Sequence, residues 1–283
     1  MPPHGPLTYS DIDWDMLWQN ARKQKSWKGK NVEDWDKNAR SFADRNADSP
    51  YASLILSRLP LDISMTVLDI GAGPGTLTLP LAERVAAVTA IDYSQQMLII
   101  LKKRALEKKL SNIRTINCAW EDDWNALGIG IHDLAIASRS LGVDDLSHAL
   151  KKLNEHAGKF VFITDRIAPT PFDPAAFKAI GRPFDSGPDY IYTVNTLYSM
   201  GIHPYIEILQ LERDLVFQNM EEALASYTWM FKDLSPIEHS RLQTYLSSRI
   251  LASEKNSLVI RREYPPRWAM IWWKKIEDSS NIV

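Results

Sequence analysis

The segment Val67-Leu68-Asp69-Ile70-Gly71-Ala72-Gly73-Pro74-Gly75-Thr76 places three glycines directly after an apolar, β-branched run. Glycine has no Cβ, so such a turn admits positive φ and lets a ligand approach the main chain. The glycines run G-x-G-x-G with Pro74 between the last two, whereas a dinucleotide fingerprint runs G-x-G-x-x-G. Asp69 stands two residues before the first glycine; an acid there suits a ligand with a cationic amino-acid end and no pyrophosphate. A second acid, Asp92, ends another apolar run 17 residues beyond Gly75, close to where an acid accepts from both hydroxyls of a ribose. The bland alternatives are an ordinary tight turn for the glycines and a helix-capping acid for Asp92. The joint spacing favours the ligand.

On these residues the chain resembles the class I S-adenosylmethionine (AdoMet)-dependent methyltransferases. Asp69 and the glycines match that family's first motif and Asp92 its second, over 67–94, with a looser likeness reaching Asp165. The resemblance implies an α/β, Rossmann-like fold: a seven-stranded, mostly parallel sheet with a reversed last strand and helices on both faces. It implies AdoMet as cofactor and S-adenosylhomocysteine (AdoHcy) as product. Cofactor contacts are then expected at Asp69, Gly71, Ala72, Gly73, Gly75 and Thr76, and at Asp92, Tyr93, Ser94 and Met97. Further contacts are expected at Ala119, Trp120 and Glu121 after the third strand and at Ser138 after the fourth. Many members carry Asp where Cys118 stands, and Glu121 and Asp122 are the acids beside it. Trp120 is read either as a ring stacked near adenine or as a core aromatic.

In that family the reaction is governed by alignment of the acceptor and exclusion of water, so no obligatory catalytic residue is expected. A base enters only where the nucleophile must lose a proton; Tyr190, Tyr192 and Asp165 are the weak candidates. Substrate-side candidates are Tyr190, Asn195 and Tyr198, in a stretch expected to cover the substrate. Arg139 and Arg166, at the ends of successive strands, are candidates for an anionic substrate, with structural ion pairs as the equal alternative.

These side chains need a frame, and the pattern supplies one. Apolar runs at 66–70, 87–91, 113–117, 134–137 and 159–164 read as strands, with helical stretches at 77–85, 95–109 and 146–156 between them. Such alternation implies a parallel sheet covered on both faces. Ser49-Pro50 reads as a helix start. Beyond Asp165, residues 169–188 carry five prolines and two glycines and read as irregular chain. Tyr190 and Tyr192 alternate as on a strand; 206–217 reads as a strand, 221–231 and 236–251 as helices, and 268–274 as the reversed strand. The expected organisation is a flexible tail over 1–10 and one domain over 11–283, with a helical cover at 11–48 and a substrate-side insertion at 166–204. Trp14, Trp18 and Trp35 invite an aromatic pocket for a flat or cationic substrate, but helices stapled down by apolar faces explain them better.

Composition narrows the class. Net charge is −2 and no basic tract occurs, which disfavours nucleic acid, since phosphates must be neutralised by clustered Lys and Arg. One cysteine among 283 residues rules out an intrachain disulfide and a three-cysteine cluster. The six histidines show no ligand spacing, so no metal is expected. No stretch reaches the length of a membrane span, and the cytoplasm is the default. No Asn/Asp-Pro-Pro-Tyr and no Pro-Cys pair is present, which turns the reading from base methylation toward a small-molecule acceptor. Two alternatives stay open: an AdoMet-binding regulator without chemistry, and a nicotinamide-dependent oxidoreductase. The oligomeric state is open as well.

Overall fold

The computed structural model describes residues 8–27, 29–46, 49–211, 214–231, 233–254 and 257–275. Three helices precede the sheet: α1 (Trp14–Gln24), α2 (Val32–Arg45) and α3 (Pro50–Leu56). Asp13 and Asn31 cap the first two by accepting from Met16 N and Asp34 N, and Pro50 starts the third where its missing N–H is no loss.

The predicted alternation follows: β1 (Thr66–Ile70), α4 (Thr78–Ala82), β2 (Ala87–Asp92), α5 (Gln95–Glu107), β3 (Ile113–Asn117), β4 (His132–Ser138), α6 (Leu146–Glu155) and β5 (Ala157–Arg166). Then come α7 (Pro174–Ile180), α8 (Tyr190–Ser199), β6 (Tyr205–Gln210), β7 (Leu215–Phe217), α9 (Met220–Thr228), α10 (Pro236–Ser248), β8 (Ile250–Glu254), β9 (Ser257–Ile260) and β10 (Arg267–Lys274). The main sheet has seven strands in the order β3-β2-β1-β4-β5-β10-β6. The first five run parallel, while β10 runs against both of its neighbours. The fold is the Rossmann-like one expected, and the predicted reversed strand is β10. Strand order turns back between β1 and β4, which opens a crevice at their carboxyl ends.

Alternate strand residues feed opposite layers, as the two-residue period requires. Leu68, Ile70, Ala135, Val161, Ile163 and Ile271 pack with α6, Trp18 and Leu197. Val67, Val88, Leu134, Ile136, Phe162 and Met270 pack with Tyr51 and Ile55 of α3 and Leu81 of α4. Burial on both faces is why these strands read as continuous apolar runs. A third cluster, built from Phe177, Leu224, Tyr227, Leu242, Leu246 and Ile260, joins α7, α9 and α10 to a separate sheet of order β7-β9-β8.

Four expectations differ from the structure. The strand expected over 206–217 is divided: 205–210 pairs with β10, whereas 215–217 pairs with β9 in the small sheet. Alternation announces a strand but names no partner. Tyr190 and Tyr192 lie on a helix, because the Asp189 side chain accepts from Ile191 N and starts α8. The irregular stretch holds α7, entered at the Asp173 cap and ended by Gly181 at φ +83°. Of the expected tail, residues 1–7 lie outside the described residues, and Tyr9–Asp11 forms a 3-10 turn whose Tyr9 hydroxyl donates to Asn195 O at 2.8 Å.

Phe162 is 2% exposed and stacks on Trp272 with ring centroids 5.6 Å apart. Phe162→Ala is expected to lower unfolding free energy by about 3–5 kcal/mol in chemical denaturation. Ile63→Ala, at a side chain 71% exposed, should stay within about 0.5 kcal/mol of the parent.

Candidate functional site

The chain leaves β1 through three left-handed glycines, Gly71 at φ +70°, Gly73 at +55° and Gly75 at +90°, each for a different reason. A Cβ on Gly71 would lie 2.3 Å from Ser140 Cβ, so the turn presses on the chain leaving β4. A Cβ on Gly75 would lie 2.5 Å from Leu101 Cδ1, which seats the turn on α5. At Gly73 no atom comes within 4 Å of that position, so the main chain there borders open space.

Hydrogen bonds pin the turn to β2. Gly71 N and Ala72 N both donate to Ile91 O, at 2.9 and 3.1 Å. Gly73 N donates to Asp92 Oδ2 and Ser94 N to Asp92 Oδ1, each at 2.8 Å. Burial raises the Asp92 carboxyl above its ordinary value, and these two N–H groups work against that rise. The Thr76 hydroxyl is buried without a hydrogen-bond partner. Asp69 lies beneath the turn, 2% exposed, accepting from Thr78 Oγ1 at 2.6 Å. Burial pushes its carboxyl up to about 7, with the Asp92 charge adding to the rise.

The loop after β3 is tied across the crevice. Cys118 N donates to Asp92 O at 3.1 Å, and Ala119 N donates to Asp122 Oδ2 at 2.8 Å, which occupies one of the two acids that stand beside Cys118. Glu121 is exposed. Trp120 Nε1 donates to Ser140 O at 2.9 Å and so links this loop to the end of β4. From below, the buried Lys152 ammonium donates to Trp120 O at 2.7 Å and to Asp122 O, and lies 4.4 Å from the Trp124 ring centre. The Cys118 thiol is buried and pushed up to about 11 by desolvation, with Asp122 adding.

Helix α2 joins the site at a residue that the sequence pattern did not single out. Asp36 Oδ1 accepts from Ser94 Oγ at 2.5 Å and from Gln96 N at 3.2 Å, while Ser94 Oγ accepts from Met97 N at 3.2 Å to cap α5. Tyr93 lies against Trp35; burial, with Asp92 next, pushes its phenol up to about 12.

At the ends of β4 and β5, Ser138 Oγ lies 2.7 Å from Tyr51 Oη and 3.1 Å from Thr164 Oγ1, and Tyr51 also bonds Thr164. The Arg139 guanidinium lies 4.0 Å from the Tyr51 ring centre. Tyr51 was hidden from sequence reasoning because it reads as an ordinary apolar helix position. Arg166 is differently placed: it donates to Ser186 O at 2.5 Å and to Pro188 O, which fixes the chain before α8. Asp165 accepts from Thr193 Oγ1 at 2.7 Å, and burial raises its carboxyl.

The glycine turn, Asp92 to Ser94, Ala119, Trp120 and Ser138 are thus brought to one sheet edge. Other candidates gather elsewhere. Tyr190 and Tyr192 pack on the core cluster beneath α8, Tyr192 against Trp18 with ring centroids 6.1 Å apart. Asn195 and Tyr198 surround Tyr9, the two tyrosine rings 5.0 Å apart. Trp18 is 3% exposed and donates to Val143 O, which is packing.

Asp69 yields a pH prediction. Its carboxyl is raised to about 7 in the folded chain, against about 3.9 in an unfolded one. The proton held by the fold therefore contributes stability that is complete below the unfolded value and lost as pH rises toward 7. Denaturation at pH 5 and pH 8 should show a smaller fall in stability for Asp69→Asn than for the parent; equal falls would refute the assignment.

A methyltransferase-domain family model matches residues 67–159. An uncharacterized protein of Haemophilus influenzae is 34% identical over 243 residues, which cover 84% of this chain and 88% of that one. Among solved structures, a candidate methyltransferase of Bacillus halodurans aligns with a TM-score of 0.55 at 11% identity, over 80% of this chain and 99% of that one. The YcgJ protein of Bacillus subtilis aligns at 0.53 and 15% identity, over 80% and 98%. These likenesses carry the fold, and the domain match falls on the strands that hold the glycine turn and Asp92. The chain carries a methyltransferase domain over residues 67–159.

Proposed function

We propose that this enzyme moves the methyl group of AdoMet to a small molecule by direct in-line displacement, in the crevice at the carboxyl ends of β1, β2 and β4. The observation that carries the reading is the joint state of Gly73 and Asp92: main chain bordering open space, beside a buried acid held by two N–H groups.

The donor set fits the cofactor. Asp92 offers the remaining lone pairs of both oxygens to the ribose hydroxyls, and the Gly71–Thr76 turn receives the amino-acid end. The orphaned Thr76 hydroxyl gains a partner there. Trp120 flanks the adenine, with Glu121 as the acid left free by the Asp122 turn. When bound, AdoMet supplies an electrophilic methyl carbon on a sulfonium. The chain's own residues orient, and α2 excludes water by closing the β2 corner through Asp36. Asp69 supports the turn from beneath by its bond to Thr78.

Net charge of −2 supports a small acceptor over nucleic acid. A reducing compartment suits the single buried thiol, and the cytoplasm is the one we propose. Among the described residues no helix is long and apolar enough to cross a membrane.

Calorimetric titration with AdoMet, AdoHcy and NADH tests the reading. AdoMet and AdoHcy should bind in the micromolar range, and Asp92→Ala should weaken both at least about tenfold. Gly73→Ala separates ligand space from folding: it should lower stability by only about 1–2 kcal/mol while AdoHcy binding falls at least as far as in Asp92→Ala. Preferential NADH binding, or unchanged AdoHcy affinity in both variants, would overturn the proposal. Tritiated AdoMet supplied with a metabolite extract should then yield labelled acceptor and AdoHcy; binding without transfer would leave a regulator.

A further inference from the structure

Three non-glycine residues have positive φ among those described: Lys109, Arg139 and Asp233. Lys109 follows Lys108, the C-cap of α5, where a left-handed residue is a common way to end a helix, and aspartate tolerates that conformation through its short polar side chain. Arg139 has neither excuse. It stands at φ +57°, one residue beyond Ser138 where β4 ends.

Both flanks hold it there. Arg139 N donates to Thr164 O at 2.9 Å. The next residue, Ser140, donates its hydroxyl to Ile70 O at 2.7 Å and accepts from Trp120 Nε1 at 2.9 Å, with Gly71 pressed against it. Backbone strain that is over-determined in this way tends to mark a working position.

The conformation lays the guanidinium over a rigid platform. Its carbon lies 4.0 Å from the Tyr51 ring centre and 5.4 Å from that of Trp268. Tyr51 is 1% and Trp268 8% exposed, and the Tyr51 hydroxyl is anchored on Ser138 and Thr164. Arg139 itself is exposed, and no carboxylate pairs with it among the described residues. A guanidinium stacked by its face keeps its edge N–H groups free, in a planar fork that matches two oxygens of an oxyanion. Arg166, the other arginine at this sheet edge, is committed to the Ser186 and Pro188 carbonyls.

From this geometry we infer that the methyl acceptor carries a carboxylate or phosphate group that docks on Arg139. The inference rests on the methyltransferase reading of the same crevice and names the acceptor's chemical class. The docked oxyanion fixes which end of the acceptor faces Ser138 and the cofactor. Tyr51 and Trp268 act as positioning residues that hold the fork in place.

The test uses the full chain saturated with AdoHcy, titrated calorimetrically with inorganic phosphate and, separately, with acetate. One of the two should bind saturably, and which one identifies the oxyanion. Arg139→Gln should weaken that binding at least about tenfold. Arg139→Lys, which keeps the charge and loses the fork, should fall between the two, with AdoHcy affinity unchanged in both variants. Equal anion affinity in Arg139→Gln, or no saturable binding of either anion by the AdoHcy complex, would overturn the inference. Failure of the parent to bind AdoHcy would appear in the first titration, before any anion is added, and would overturn the underlying reading instead.

Discussion

A buried carboxylate is tolerated only when its oxygens receive hydrogen bonds, and the two oxygens of Asp92 receive theirs from Gly73 N and Ser94 N. That requirement binds three elements into one unit: the end of β2, the turn leaving β1 and the start of α5. The turn cannot swing away without stranding a charge, and Gly71 and Gly75 cannot take a side chain without displacing Ser140 or Leu101. The acid therefore orders the main chain of the turn, while its oxygens keep spare lone pairs.

The second consequence concerns the chain before the sheet. Asp36 of α2 accepts from Ser94 Oγ and Gln96 N at the same corner, so the helical cover is bonded to the site and does not merely lie over it. The cover also reaches the outer layer: the Lys30 ammonium sits 4.5 Å from the Trp35 ring centre and 4.7 Å from that of Trp229, and Trp27 lies 4.6 Å from Phe172. Burial lowers the Lys30 ammonium below its ordinary value, with the Arg45 charge adding; two indole faces offset part of that desolvation. The tryptophans of this region serve as packing faces for cations and rings of neighbouring elements, which fits a stapled cover better than an open aromatic pocket.

Legibility in the sequence followed the physics of each element. Strands buried on both faces must be apolar throughout, so β1, β2, β4 and β5 were visible as runs, and the glycine turn was visible because positive φ restricts residue type. Asp92 was visible through spacing alone. The division between β6 and β7 was not, because strand alternation is the same whether the partner is β10 or β9. Tyr190 and Tyr192 misled for a related reason: two alternating aromatics carry a strand signal that a single cap at Asp189 overrules. Asp36, Lys152 and Tyr51 were silent, since each reads as an ordinary helix position and acts through a partner far away in sequence. A concavity of about 530 Å³ between α9 and α10, lined by Leu224 and His239, lies in the outer layer, away from the glycine turn.

The two halves of the crevice differ in what they ask of the sequence. The glycine turn is set by main-chain shape, which favours glycine at those φ values, so it leaves a spaced motif. Acceptor contacts are set by which side chains remain uncommitted after folding, and spacing does not record that. Arg139 and Arg166 show the difference. Both stand at the end of a strand and were equivalent in the sequence, yet Arg166 is half-buried and desolvation disfavours its charge, a loss countered by Asp165 and Asp189 and by the carbonyls it binds. Arg139 is exposed, set on two aromatic rings by a strained backbone, and keeps its hydrogen-bonding edge. A cation that the fold has used up steadies the chain; a cation that the fold displays keeps its hydrogen-bonding edge for what comes to it.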